Sequence, residues 1–350
     1  MRILDEQPST RFTAPAFAPA PAERRGVARD ATRLLVARPD GVTHTRFHAL
    51  ADHLRPGDLV VVNNSATVAG QVDARSTRHG AVVVHVATPL DDGSWVVELR
   101  TAPDAAHPVL DARPDDRIAL ADVGLRLVGP YPRAGSSPTR AGNRLWRAEA
   151  LGDLAALLRR EGRPISYGYL DRGYPLAAYQ TIFGTRPGSA EMPSAARPFT
   201  TRLVTRLVSL GVAVAPVTLH TGVSSQEAGE APQAERFVVP PATAAAVNAV
   251  RAGGGRVVAV GTTVTRALES AVADDGRAVA ARGWTERVVT PAAPPRVVSG
   301  LVTGWHDPAA SHLLLVEAVA GAALTQASYD AAVAEGYLWH EFGDAALLLP

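Results

Sequence analysis

The stretch Arg256-Val-Val-Ala-Val-Gly-Thr-Thr-Val-Thr-Arg-Ala-Leu-Glu269 decides the fold. Four consecutive apolar residues form a strand too uniformly hydrophobic to have one wet face, so it belongs inside a sheet covered on both sides. Gly261 then breaks the run, and two threonines open an amphipathic helix. Thr262 or Thr263 suits the helix cap, and the free N–H groups there suit a carboxylate or another anion. Arg266, one turn on, is placed to grip such a carboxylate in two-pronged fashion. A strand feeding a helix through a glycine is the unit of a layered α/β sheet, whose ligands sit at strand carboxyl ends.

Working outward, the same alternation continues. Before the stretch lie a helix over Thr200–Leu210, a buried strand over Val212–Leu219 and a helix over Ala242–Arg251. The patterning after it predicts Val297–Thr303 as a strand, then helices over His312–Ala323 and Tyr329–Glu335, then a strand over Asp344–Leu349. Two β-branched strands, Thr32–Ala37 and Asp58–Asn63, stand near the start, behind a Pro- and Ala-rich leader (Pro8–Ala22) expected to lie extended over a surface. Between Gln71 and Ala150 the period changes. Short alternating segments at Ala81–Ala87, Trp95–Arg100, Arg117–Leu120, Gly124–Val128 and Arg144–Ala148 are separated by turn clusters, the pattern of a small antiparallel barrel or sandwich. The expected organisation is therefore an α/β domain made of residues 1–70 and 151–350, with an all-β domain, 71–150, inserted.

Composition narrows the chemistry. The 350 residues are 47% hydrophobic with a mean hydropathy of +0.03 and only 5% aromatic, which describes a globular chain whose cores are built from Val, Leu and Ala. Without cysteine there are no disulfides, thiolate zinc sites, iron–sulfur clusters or thiol nucleophiles. The chain also lacks lysine, so a lysine Schiff base and a Walker-type phosphate loop are excluded. Basic and acidic residues, 35 against 34, leave a net charge of +1, which advertises no polyanion partner and leaves room for a local arginine patch. Met1–Thr10 has no apolar core and the longest apolar runs are too short or interrupted to span a bilayer, so a cytoplasmic location is expected.

Three further segments concentrate polar groups. Val217-Thr-Leu-His-Thr-Gly222 ends a strand with Thr218 and with His220, a residue able to move protons near neutral pH. Tyr167-Gly-Tyr-Leu-Asp-Arg172, with Tyr169, Asp171 and Arg172, precedes Tyr179-Gln180-Thr181. The loop from Pro187 to Ser194, with Ser189 and Glu191, follows. Such density between apolar elements marks a functional loop, although a long linker or a set of structural hydrogen bonds reads the same way. His306 and His312 with Glu317, or His340 with Glu341, lack the paired helical histidines of a hydrolase zinc site, so no metal is expected.

Read together, these segments resemble the S-adenosylmethionine:tRNA ribosyltransferase-isomerase family of the queuosine pathway. The matching segments are collinear: Arg33-Leu-Leu-Val, Leu54 to Asn64, Tyr179-Gln-Thr, Pro187-Gly-Ser, Val217 to Gly222, Arg256 to Glu269, His306-x-Pro308 and Gly343-Asp344-Ala345. The resemblance implies a three-layer α/β/α fold carrying an inserted antiparallel β-barrel. It also implies S-adenosylmethionine as co-substrate, no permanently bound cofactor, and tRNA as the acceptor. In that chemistry a base takes a proton from the 5′-carbon, adenine and methionine leave, and the rearranged ribose becomes an epoxycyclopentane on the aminomethyl group of a deazaguanine. His220 is the candidate base, Thr262, Thr263 and Arg266 the anion site for the methionyl carboxylate, and Tyr179, Gln180 and Thr181 the adenine pocket. Glu235, His306 and Asp344 complete the candidate set.

The departures from the family pattern lie in the same loops. Ser65 to Gln71 lacks two arginines, Pro198 stands where a histidine is expected, Glu230 and Gln233 replace histidines, and Tyr337-Leu-Trp-His-Glu-Phe342 replaces an aromatic-rich run. Lost cations and new carboxylates keep a second reading open: a nucleoside lyase or dehydratase using the same 5′-proton chemistry on a free adenine nucleoside to give a 4′,5′-alkene, with Glu191 and Glu230 as proton-transfer groups. A nucleoside- or RNA-binding module that has lost the chemistry is the third.

Overall fold

The computed structural model describes residues 6–13, 16–138, 140–224, 229–308 and 310–350. Residues 1–5, 14–15, 139, 225–228 and 309 lie outside them, 14–15 being part of the expected leader. A nine-stranded sheet forms the frame. At its centre Leu59–Asn63 pairs in parallel with Ala213–His220 on one side and Val257–Val260 on the other, and Val257–Val260 pairs in parallel with Gly300–Thr303. Ala345–Leu348 runs antiparallel to Gly300–Thr303 and parallel to Arg33–Arg38, whose other neighbour is Gly41–Arg46. Glu235–Val239 and Ala281–Thr285 extend the opposite edge in antiparallel fashion.

Why these runs lie in the middle is visible in how they divide. Leu35, Leu59, Val61, Val257, Ala259 and Leu301 point into one core, beneath the helices Pro241–Ala252, Thr262–Glu269, Ser311–Ala320 and Ala322–Ala334. Their neighbours Leu34, Val60, Val62, Val258, Val260 and Val302 point into the other, beneath the helix Thr201–Ser209 and the short 3-10 helix Phe47–His53. Successive side chains of a strand face opposite ways, so an unbroken apolar run requires a layer on each side. This is the expected α/β/α arrangement.

The strands Gln71–Ser76, Gly80–Pro89, Trp95–Thr101, Arg117–Leu120, Val123–Pro130 and Leu145–Leu151 close into a six-stranded antiparallel barrel. Five of the six are the alternating segments read from sequence. The sixth, Gln71–Ser76, escapes that reading because its alternation rests on Val72 and Ala74 alone, too little apolar surface to mark a strand. The outer strands Gly41–Arg46, Glu235–Val239 and Ala281–Thr285, of which the first and last are the sheet's edges, escape it because one or both faces meet solvent. The helix after Gly261 spans Thr262–Glu269, and the strand expected from Val297 begins at Gly300. The described part of the leader does lie extended, with the Ala18 N–H donating to the Trp339 carbonyl and Phe12 packed 4.6 Å from the Tyr329 ring. No helix among the described residues is long and apolar enough to cross a membrane.

Candidate active site

The four parallel strands all end on one side of the frame, and the segment leading into Ala345–Leu348 arrives there too. A cleft opens at that side, lined by Tyr167, Glu191, Thr221–Ser224, Gln233, Glu235, Gly261–Thr263, Arg266, Thr303–Asp307, His312, His340 and Glu341. Gly261 has φ +92°, a conformation that L side chains rarely adopt, and it lets the chain turn from strand into helix so that Thr262 and Thr263 face the cleft.

Glu191 stands at one wall, 9% exposed. Its Oε1 accepts from the Ser224 N–H at 2.9 Å and from the Tyr167 hydroxyl, and its Oε2 accepts from the Ser224 hydroxyl. Burial pushes the Glu191 carboxyl up, against these hydrogen bonds, which favour the ionised form. Among the described residues Oε2 has this one donor, which leaves it a lone-pair direction. Tyr167 stays protonated, because burial and the nearby carboxylates push its phenol well above the ordinary range.

Across the cleft, Glu341 is pushed up to about 8 by burial and by the Glu191 carboxylate. Its Oε2 is buried with no hydrogen-bond partner among the described residues, an environment suited to a neutral carboxylic acid. The preceding residue, His340, has φ +72°, and its ring sits between Tyr169 at 4.5 Å and Phe17 at 4.9 Å. A non-glycine residue in the left-handed region is costly and is held there by its surroundings. His306 and His312 stack 5.0 Å apart, and burial holds both imidazoles neutral, His312 down to about 4.

The raised Glu341 has a consequence for stability. Its folded-state pKa lies above the ordinary 4.5, so its contribution is complete below about pH 4.5 and is lost as pH rises through about 8. Glu341→Gln, which mimics the neutral acid, is therefore expected to leave the Tm unchanged at pH 4 and raise it at pH 9. Equal shifts at both pH values would refute the assignment.

The structure gathers Glu191, Glu235, Thr262, Thr263, Arg266 and His306 of the sequence candidates around the cleft. Arg266 is already committed: it pairs with Glu235 and donates to the carbonyls of Gln233 at 2.8 Å and Arg287 at 3.0 Å. It braces the wall, and the cleft lining there also includes Thr262 and Thr263 at the helix N-terminus. Glu235 also accepts from the Gly222 N–H at 3.1 Å.

His220 is not at the cleft. Its Nδ1 lies 2.7 Å from the Ser65 hydroxyl, which is 2.6 Å from that of Ser189, and its ring packs so closely on Gly188 that a Cβ there would come within 2.5 Å. Thr221, one residue on, takes the cleft side. Asp344 is likewise structural: it accepts from the N–H groups of Arg33 at 2.8 Å and Leu338 at 2.9 Å and pairs with the Arg33 guanidinium. Glu230 pairs with Arg144 of the barrel at 2.7 Å. Thr218 donates to Asn64 at 2.6 Å.

The segment expected to form the adenine pocket also lies outside the cleft lining. Tyr179 is buried against Phe342, and Gln180 uses its amide to pair with the backbone of Thr67. Thr181 is buried beside them, outside the cleft lining. Asp171 accepts from the Tyr174 hydroxyl at 2.6 Å, while Arg172 lies over the Tyr174 ring. Glu317 caps the leader through Ser9 and Thr10, far from a metal-ligand role with His306. The sequence reading omitted Tyr167, Ser224, Trp305 and Asp307, and it weighed His312, His340 and Glu341 only as metal ligands.

An α/β/α sheet with a closed barrel and an acid- and histidine-lined cleft at its parallel strand ends is the architecture of a sheet-end ligand-binding enzyme. The sequence profile of the queuosine biosynthesis protein family matches residues 11–348, and the chain belongs to that family. It is 37% identical over 332 residues to a protein of Acidiphilium cryptum named S-adenosylmethionine:tRNA ribosyltransferase-isomerase, covering 91% of this chain and 93% of the relative. A Thermus thermophilus protein of the same name is 35% identical, covering 92% and 93%. The crystal structure of the S-adenosylmethionine tRNA ribosyltransferase from Thermotoga maritima superposes with a TM-score of 0.51 at 25% identity, over 95% of this chain and 96% of that one.

Proposed function

We propose that this chain transfers and isomerises the ribosyl group of S-adenosylmethionine onto a modified deazaguanine in tRNA. The observation that carries this reading is the cleft itself, in a family member related to the named enzymes along nearly its whole length. It holds two carboxyls with different tasks open to them. Glu191, hydrogen-bonded in its ionised form, takes the 5′-proton that the sulfonium acidifies. Glu341, kept neutral, gives a proton to the departing adenine. The N–H groups at Thr262 and Thr263 receive the methionyl carboxylate. In this assignment His220 and the Tyr179–Thr181 segment shape the frame and touch no reacting atom. Residues 1–70 with 151–350 act as the catalytic unit and 71–150 as the inserted one.

Nothing in the cleft selects a free nucleoside over S-adenosylmethionine, and a double-carboxyl site is wasteful in a mere binding module. The test is mass spectrometry of the protein with S-adenosylmethionine, with and without tRNA bearing the aminomethyl-deazaguanine. Release of adenine and methionine that requires this tRNA, with the matching mass gain on the RNA, is expected. Turnover indifferent to RNA, or loss of water from a free adenine nucleoside, would overturn the reading.

A further inference from the structure

A second concavity, of about 380 Å³, lies on the outer face of the sheet edge and serves no step of the chemistry above. The register builds it. Thr218, Val238 and Arg282 stand opposite one another in one cross-strand row, and His220, Arg236 and Trp284 in the next. Between them Leu219 and Phe237 turn the other way, into the core. The groove face therefore carries polar and cationic side chains by the same alternation that buries its reverse.

Its chemistry is specific. The Arg236 guanidinium lies 4.6 Å over the Trp284 ring, and Asp91 of the barrel bonds both side chains. Arg282 is exposed on the rim and Arg186 lies close enough to His220 to disfavour its protonation. Neither arginine has a carboxylate partner among the described residues. With Asp91 counted, the two lining arginines Arg236 and Arg282 and the exposed Arg186 beside His220 leave the groove positive in a chain whose net charge is only +1. Arginines beside a stacked indole match a phosphate backbone with unstacked bases, as in single-stranded RNA loops.

The position is as telling as the charge. His220 and Arg236 face the groove, while their immediate neighbours Thr221 and Glu235 line the cleft. A strand lying in the groove thus runs past the lip of the cleft, one residue's width away. We infer that this groove seats the ribose-phosphate backbone of the acceptor RNA beside the nucleotide whose base enters the cleft. The inference rests on the tRNA reading above and gives it a surface.

The test is fluorescence anisotropy of a labelled tRNA transcript, titrated at several salt concentrations, with S-adenosylmethionine binding measured in parallel by calorimetry. The double variant Arg186→Gln/Arg282→Gln is expected to bind the transcript about tenfold more weakly at 0.1 M salt. Its log–log salt dependence should be shallower by about 1 to 2, since each lost phosphate contact removes roughly 0.7–0.9. Affinity for S-adenosylmethionine should be unchanged, which also shows that the variant is folded. Trp284→Leu should weaken RNA about tenfold at unchanged slope, because stacking is not ionic. Arg46→Gln, on the strand Gly41–Arg46 at the opposite edge of the sheet, controls for charge alone. A double variant no weaker than Arg46→Gln, with the wild-type slope, overturns the groove and leaves the tRNA reading intact. A wild-type protein that turns over S-adenosylmethionine yet has no affinity for tRNA sinks both.

Discussion

Glu191→Gln should cost two to four orders of magnitude in kcat, leaving the affinity for S-adenosylmethionine and the Tm close to those of the wild type. A general base contributes about 10²–10⁴-fold, and the amide keeps the shape of the carboxyl while losing the ability to accept a proton. The geometry allows little other compensation. The Glu191 carbonyl accepts from the Thr221 hydroxyl at 2.6 Å and the Ala190 N–H donates to the Thr221 carbonyl at 2.8 Å, so the residue is pinned to the strand end. Tyr167→Phe provides the companion test, with a sign. The Tyr167 hydroxyl stabilises the ionised carboxylate, so removing it raises the Glu191 pKa, already lifted by burial. The base must be ionised to act, so the acid limb of the kcat/KM profile should move to higher pH. Turnover by Glu191→Gln within tenfold of wild type would remove Glu191 from the role of base.

The frame was readable because its signals are physical and redundant. Leu59–Val62, Val257–Val260 and Leu301–Val302 are apolar on both faces, which only an interior strand tolerates, and Gly261 with its threonines marks where strand becomes helix. The barrel announced itself by period, except at Gln71–Ser76, where the inward face of the alternation is only Val72 and Ala74. The site was less readable for a reason equally local. At a strand end the face taken by a side chain reverses with each residue, so choosing His220 over Thr221 is a choice of surface that composition does not disclose. Polar density at Tyr179–Thr181 marked hydrogen bonds to the backbone of Thr67 rather than a ligand pocket. In the other direction, Glu341 stood in a segment noticed for departing from the family pattern. Only burial and the opposing Glu191 turn it into a neutral acid, and both are tertiary facts. Tyr167 lay within a cluster singled out as functional, but a tyrosine's hydrogen-bond partner cannot be read from its neighbours in sequence.

Arg144→Met should destabilise the fold by about 3–5 kcal/mol, the usual cost of breaking a buried ion pair by removing one partner. Arg144 is 4% exposed and stands between two buried carboxylates, 3.0 Å from Glu98 of the barrel and 2.7 Å from Glu230 of the loop after His220. Losing the cation leaves both carboxylates in a low-dielectric interior without the charge that lay between them. The same guanidinium donates to the Ser224 carbonyl at 3.0 Å, and Ser224 in turn holds Glu191 through its N–H and its hydroxyl. A second contact path runs from the barrel through Arg100, whose guanidinium lies 5.0 Å over the Tyr167 ring, to the Tyr167 hydroxyl and again Glu191. The barrel is thus fastened to the cleft at the carboxylate assigned the proton, which makes Arg144 a positioning residue as well as a structural one. The two roles separate in a double variant. Adding Glu230→Gln to Arg144→Met removes one of the two carboxylates that faced the lost cation and should restore part of the lost stability, measured by denaturant unfolding. It cannot restore the hydrogen bond to Ser224, so the pH profile of kcat/KM should stay displaced from wild type in both variants. A double variant that recovers stability and the wild-type profile together would show that Arg144 acts on stability alone, and that the barrel supports the cleft without tuning it.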